Sequence, residues 1–299
     1  MSNHANHQAD PLGAEEAALR AAQEAPGGPE GREDPRPVTS SSLTVEAPSG
    51  LTVRVRRLKL RELNILANRK LAKKGTSITE LLRSVWEETL DPGIYQPPFV
   101  EWPENSSGQV VPRWDQVLIG DRTHILLAIR ELSRGPEYSF EVTCQGPACR
   151  RTIPWTVDLR KLERHGLSDE ARTKLTGDGE NLFYRDLPYS GHKVAFRLMT
   201  GADEAQVAKV ASQDGGEAMV SASILLRLPY VSGATSPRER RDFVEDMDLE
   251  DAAWLQDQWE AADVMVQQEM EVECPHCWRT QRVAIPFDAD FFWHRSSRG

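Results

Sequence analysis

Glu141-Val142-Thr143-Cys144, closed by Cys149, reads like Glu271-Val272-Glu273-Cys274, closed by Cys277, and together the two stretches hold all four cysteines of the 299-residue chain. Each is a strand end, a tight loop and a strand that leaves through Ile-Pro-aromatic: Ile153-Pro154-Trp155 runs on to Asp158-Leu159, and Ile285-Pro286-Phe287 to Asp290-Phe291. Cysteines two to four residues apart supply two thiolates from one turn, and four thiolates complete the tetrahedral shell that zinc prefers. The spacing predicts one Zn2+ bound by Cys144, Cys149, Cys274 and Cys277, with 124 residues between its halves. Two disulfides or four idle thiols are the competing readings, but nothing in the chain points to the oxidising compartment that disulfides need. His276 is expected to face solvent, because four sulfurs already fill the shell. A closed shell makes the metal structural rather than catalytic.

The rest of the composition is that of an ordinary soluble protein, with 39% hydrophobic and 27% charged residues. No basic-then-apolar leader and no membrane-length apolar run is present, so a cytoplasmic protein is expected. A net charge of −10 makes nucleic acid an unlikely principal partner. The charge is segregated. Leu51 to Gly75 carries nine Lys or Arg and one acid, Glu62, whereas Asp248 to Glu271 carries eight acids and no base. Solvated faces are the ordinary meaning of such runs; two surfaces that face each other, or charged partners, are the sharper one.

Residues 1–48 hold almost no large apolar side chains and read as a disordered arm. A strand is expected at Leu51–Val55, then a basic helical hairpin: one helix from Leu60 through Leu63, Leu66, Ala67 and Leu71 to Gly75, a second from the Ser77-x-x-Glu80 capping box to Asp91-Pro92-Gly93. Residues 94–113 are Pro-rich and irregular. Asp121 is expected to cap a helix carrying Ile125, Leu126, Ile129 and Leu132. After the first knuckle, at 137–160, residues 161–270 read as a mainly helical insert. Within it Leu187 to Leu198 forms a turn and strand, Thr200 caps a helix, Met219 to Leu228 forms another, Ser236-Pro237 opens the next, and a long helix runs from Asp248 past Val266 into the second knuckle at 271–299. The fold class is therefore α+β, a mostly helical body built around a split four-cysteine ribbon.

No phosphate loop, dinucleotide fingerprint, His-Glu-x-x-His or nucleophile elbow is present, and His192 in its turn has no defined partner. A non-enzymatic protein without a small-molecule substrate is expected.

Several weak motifs occur together in a telling order: Gly120-Asp121-Arg122 before Leu126-Leu127-Ala128-Ile129-Arg130, the first Cys pair, and Leu187-Pro188 with Ser190-Gly191. Phe196-Arg197-Leu198, Thr200-Gly201-Ala202-Asp203-Glu204, Cys274-Pro275-His276-Cys277 and Phe291-Phe292-Trp293 then follow. Over about residues 51–295 the chain thus resembles the zinc-ribbon baseplate-assembly proteins of contractile-tailed phages, similar to the T-even baseplate hub assembly chaperones. The resemblance implies an assembly factor whose partners are baseplate or hub proteins of a phage tail or related injection system. A structural subunit retained in the particle is the first alternative, and a zinc-ribbon nucleic-acid binder the second. Candidate partner contacts are Arg69, Lys70, Lys73 and Lys74 on the basic hairpin and the aromatic end Phe291, Phe292 and Trp293.

Overall fold

A computed structural model describes residues 41–213, 219–287 and 289–293. The chain is mixed helix and sheet. Strand β1 (Ser42–Glu46) pairs antiparallel with β2 (Thr52–Arg56), so the folded chain begins earlier than expected from composition; the remainder of the expected arm lies outside the described residues. Val45 and Ala47 are buried, and pairing with β2 supplies the backbone partners that this Ser/Thr-rich stretch could not find alone.

The expected first hairpin helix is two helices, α1 (Leu60–Leu66) and α2 (Arg69–Lys74). Asn68 splits them: its backbone is extended and its side chain accepts from the N–H groups of Lys70 and Leu71, restarting the helix as an N-cap. Gly75 ends α2 in the left-handed conformation, φ 67°, with the Thr76 N–H reaching Leu71 O at 3.0 Å. The partner helix α3 (Ser77–Val85) stops short, and its expected Ser77 cap is replaced by Thr76 without a side-chain bond. Trp86–Asp91 becomes strand β3, because β2 is there to pair with it and Arg54 meets Glu88 at 2.6 Å. Tertiary pairing overrides local helical periodicity here.

The irregular stretch that follows is not merely a surface cover, since Tyr95, Trp102 and Trp114 are buried and Tyr95 stacks on Trp102 at 5.0 Å. It leads into α4 (Ile119–Arg134), the axis of the main core. Helix α4 starts two residues before its expected cap, and Asp121 points inward instead. It accepts from Tyr95 Oη at 2.5 Å and from the Ser49 N–H at 3.2 Å. Gly120 lets the helix approach the backbone at Val264, where a Cβ would fall 1.9 Å from Val264 O. Arg122 is buried and donates to Trp114 O, to Thr79 Oγ1 at 3.2 Å and to Glu204 at 2.9 Å.

The hairpin of β4 (Glu137–Thr143) and β5 (Thr152–Asp158) comes next. The region expected to be a helical insert contains α5 (Asp169–Gly177), α6 (Gly201–Gln213), α7 (Met219–Arg227), α8 (Pro237–Glu245) and α9 (Leu249–Ala262). It also contains a sheet, β7 (Phe183–Asp186), β8 (Lys193–Phe196) and β9 (Tyr230–Val231), and a small pair, β6 (Arg164–His165) with β10 (Met265–Val266). Ser236 and Pro237 open α8 with a complete capping box, and Asp248 caps α9. Asp203 accepts from the Thr200 N–H and from Arg197, tying the start of α6 to the end of β8. Helix α9 ends at Ala262, not beyond Val266, because Asp263 turns extended and β10 pairs with β6. The hairpin of β11 (Glu269–Glu273) and β12 (Thr280–Ala284) and the short α10 (Ala289–Trp293) complete the described chain.

Two buried acids change the reading of the acidic stretch. Asp251 accepts from the N–H groups of Tyr189 and Ser190, holding the β7–β8 turn. Asp263 lies 3.6 Å from Arg227, whose guanidinium sits over the Trp259 ring. On the basic side, Arg56 and Arg61 pair with Glu62 and Arg54 with Glu88. Each charged run thus engages its own neighbourhood.

Burial pushes the Asp263 carboxyl up from 3.8 to about 7, against the pull of Arg227. The folded state therefore holds a proton that the unfolded chain releases above pH 4, and stability falls as pH rises from about 4 through 7. By linkage the loss can reach roughly 4 kcal/mol. Asp263→Asn should flatten this fall, as read by urea unfolding at pH 5 and pH 8. Parallel pH profiles for the two proteins would contradict this.

Candidate metal centre and partner surface

The two knuckles meet. The sulfurs of Cys144, Cys149, Cys274 and Cys277 all lie within 4.8 Å of one another, with Cys144 to Cys277 at 3.5 Å and Cys149 to Cys274 at 3.8 Å. All four are free thiols, and these separations are far too long for S–S bonds. They match the edge of a tetrahedron of sulfurs around one ion, which metal–sulfur bonds of about 2.3 Å place near ~3.8 Å. Soft sulfur donors in this geometry suit a thiophilic ion and not a hard oxygen-seeking one such as magnesium or calcium.

The internal likeness of the two sequences is also one of backbone. In each knuckle the residue after the second cysteine is left-handed, Arg150 at φ 48° and Trp278 at φ 60°. In each, the first cysteine's N–H donates to the carbonyl two residues beyond the second, Cys144 to Arg151 at 2.9 Å and Cys274 to Arg279 at 3.0 Å. Val142, Ile153 and Val272 join Cys144 and Cys274 in a small core of their own. Gln281 stitches the halves together, accepting from the Gln145 N–H at 2.7 Å and donating to Thr143 O at 3.1 Å. Nothing about a lone glutamine in a strand marks that role in the sequence. His276 is exposed, outside the sulfur cluster, with Nδ1 3.1 Å from Arg151 Nη1.

The thiols resist ionising together. The His276 N–H helps to draw Cys274 down to about 7. The Gly146 N–H pulls Cys144 the same way, but loss of water and three neighbouring thiols outweigh it and push Cys144 up to about 12. A bound cation would remove that conflict by holding all four as thiolates.

The expected partner residues fall into two groups. Arg69, Lys70, Lys73 and Lys74 are exposed along α2. Phe291 and Phe292 are buried, so they cannot form an open contact surface: Phe291 packs edge-on to Tyr138 at 4.9 Å, and Phe292 packs against Phe291. Arg130, buried in α4, donates to Phe291 O, Gly135 O and Glu137 O and so fastens α10 to the root of the first ribbon hairpin. Trp293 is half exposed, with Arg134 stacked over its ring. Between α1 and α10 lies a cleft of about 150 Å3 lined by Lys59, Leu60, Leu63, Arg134, Phe292 and Trp293. Leu60 at its edge is 70% exposed, an unusual setting for leucine beside a tryptophan. No helix among the described residues is long and apolar enough to cross a membrane.

A split four-sulfur centre inside an α+β fold defines a protein tied together by its two distant knuckles. The chain belongs to the family of T4 bacteriophage base plate proteins, whose profile matches residues 40–293, from just before β1 to the last residue of α10. No curated protein and no solved structure matches the chain.

We predict one metal ion per chain in freshly purified protein, released by a strong chelator together with cooperative loss of structure. Cys144→Ser or Cys274→Ser should lose the metal and cost several kcal/mol or more in stability, on the order found for structural thiolate sites. Metal analysis and thermal melting check this, and unaltered melting of both variants would refute it.

Proposed function

We propose that this baseplate-family protein is a non-enzymatic assembly factor, chaperone-like, that acts in the cytoplasm on a hub or baseplate component of a phage tail or contractile injection system. We also propose that the ion held by the four cysteines is Zn2+, in a structural role. The observation that carries the functional reading is the Leu60–Trp293 cleft, whose apolar lining is flanked by the cations Lys59 and Arg134, with further exposed cations on α2 of the same hairpin. Exposed apolar anchors beside flexible lysines and arginines suit reversible capture of another protein: the anchors supply affinity and the charges supply encounter rate and salt dependence. Retention as a structural subunit rests on the same surface and differs only in whether the complex persists. A nucleic-acid role is disfavoured by the acidic balance of the chain.

Deleting the gene from its parent system should abolish complete particles while the other tail components are still expressed. Leu60→Asp and Trp293→Ala should reproduce much of that defect without loss of metal. Mass spectrometry of mature particles separates the two modes: stoichiometric presence means a structural subunit, and absence combined with the assembly defect means a chaperone. Normal particles from the deletion strain would refute an assembly role.

A further inference from the structure

The tip of the paired knuckles carries three exposed arginines, Arg150, Arg151 and Arg279, with exposed His276 and a tryptophan, Trp278, that is 75% exposed. No acid occurs in 144–152 or 274–282. A metal held by four thiolates would leave a local charge of about −2, which some of this positive charge balances. That accounts for arginines but not for an indole. Trp278 also sits at φ 60°, the left-handed region that both knuckles require after their second cysteine and that a side chain with a Cβ disfavours, bulky ones most. Glycine would satisfy that position without strain, and a mostly solvated indole returns little packing. A costly backbone that presents a large aromatic outward points to something the aromatic touches.

We propose that this tip is a second docking surface, distinct from the Leu60–Trp293 cleft, and that its occupant is a short acidic segment of a partner protein anchored by an apolar residue on Trp278. Arginine forks match carboxylates two bonds at a time, and Trp and Arg are both enriched among the residues that carry most of the energy of protein interfaces. The Arg151–His276 contact, 3.1 Å, joins the two knuckles into one platform, so the surface exists only when both halves of the ribbon are in place. An extended polyphosphate fits worse. The strands below the tip expose Glu141, Glu271 and Glu273, which confine the positive field to the tip and would repel a charged backbone running past it.

The test uses the full metal-loaded chain and fluorescence anisotropy with a labelled glutamate-rich peptide carrying one central phenylalanine. The expected result is salt-sensitive binding that weakens at least tenfold in the Arg151→Glu/Arg279→Glu variant and severalfold in Trp278→Gly. Reversal on α2, Arg69→Glu with Lys73→Glu, should leave it within twofold, which separates this site from the surface of the proposed assembly function. Trp278→Gly should also melt at the parent temperature or above, because strain is removed. Metal content confirms that each variant keeps its knuckles, and Arg151→Gln/Arg279→Gln replaces the reversal if it does not. The proposal is overturned by absence of binding, by binding that survives the tip variants or depends on α2, or by a Trp278→Gly melting loss typical of a core residue. Tighter binding of a single-stranded DNA oligomer through the same residues would make the tip a nucleic-acid site and equally overturn it.

Discussion

Burial of charge on a single helix is the constraint that organises this molecule. Helix α4 sends Asp121, Arg122 and Arg130 into the interior, each almost wholly removed from water. An unpaired ion there would cost far more than the marginal stability of a domain, so each must be satisfied. Most of the partners come from far along the chain: Ser49 and Tyr95 for Asp121, Thr79 and Glu204 beside the nearer Trp114 for Arg122, and Phe291 beside the nearer Glu137 for Arg130. Loss of water draws Arg130 down to about 10, which still leaves it charged at neutral pH. Satisfying all three buried side chains at once favours one arrangement of these segments, so such a network bears on uniqueness as well as on net stability.

The cysteine centre solves a different problem. The two ribbon hairpins share a small core of five buried residues, too little apolar area to hold such an assembly in water. A metal bound by both knuckles would replace the missing core with four strong bonds and close a very long loop. The intervening segments are then free to specialise. They supply α6 to α9 and the β7–β8–β9 sheet; Phe183, Val194, Phe196 and Val231 of the sheet and Leu255 and Trp259 of α9 join the main core.

Charge segregation, so plain in the composition, proves to be local housekeeping in part. Glu62 is the hub of the basic region. Burial pushes it up, but Arg56, Arg61 and the Lys59 N–H outweigh that and hold it near 2, so it stays ionised. What those internal pairs do not use, on α2 and at the knuckle tip, remains as exposed cationic surface.

The sequence by itself determined the features whose signal is local or repeated. The duplicated Glu-Val-x-Cys segments placed the four sulfurs, Ser236-Pro237 and Asp248 placed helix starts, Gly75 placed a helix end, and the order of motifs pointed to the baseplate family. Tertiary structure decided what depends on partners remote in the chain. Trp86–Asp91 is a strand because β2 lies beside it, and Asp121 is a buried hub because Tyr95 and Ser49 reach it. Phe291 and Phe292 are interior because Arg130 and Tyr138 receive them, whereas Trp293, one residue on, emerges beside Leu60. A local pattern reports the chain's own torsional and hydrophobic preferences. Whether a given carboxylate or aromatic ends inside or outside is a comparison between water and a partner dozens of residues away, and only the folded arrangement supplies the second term.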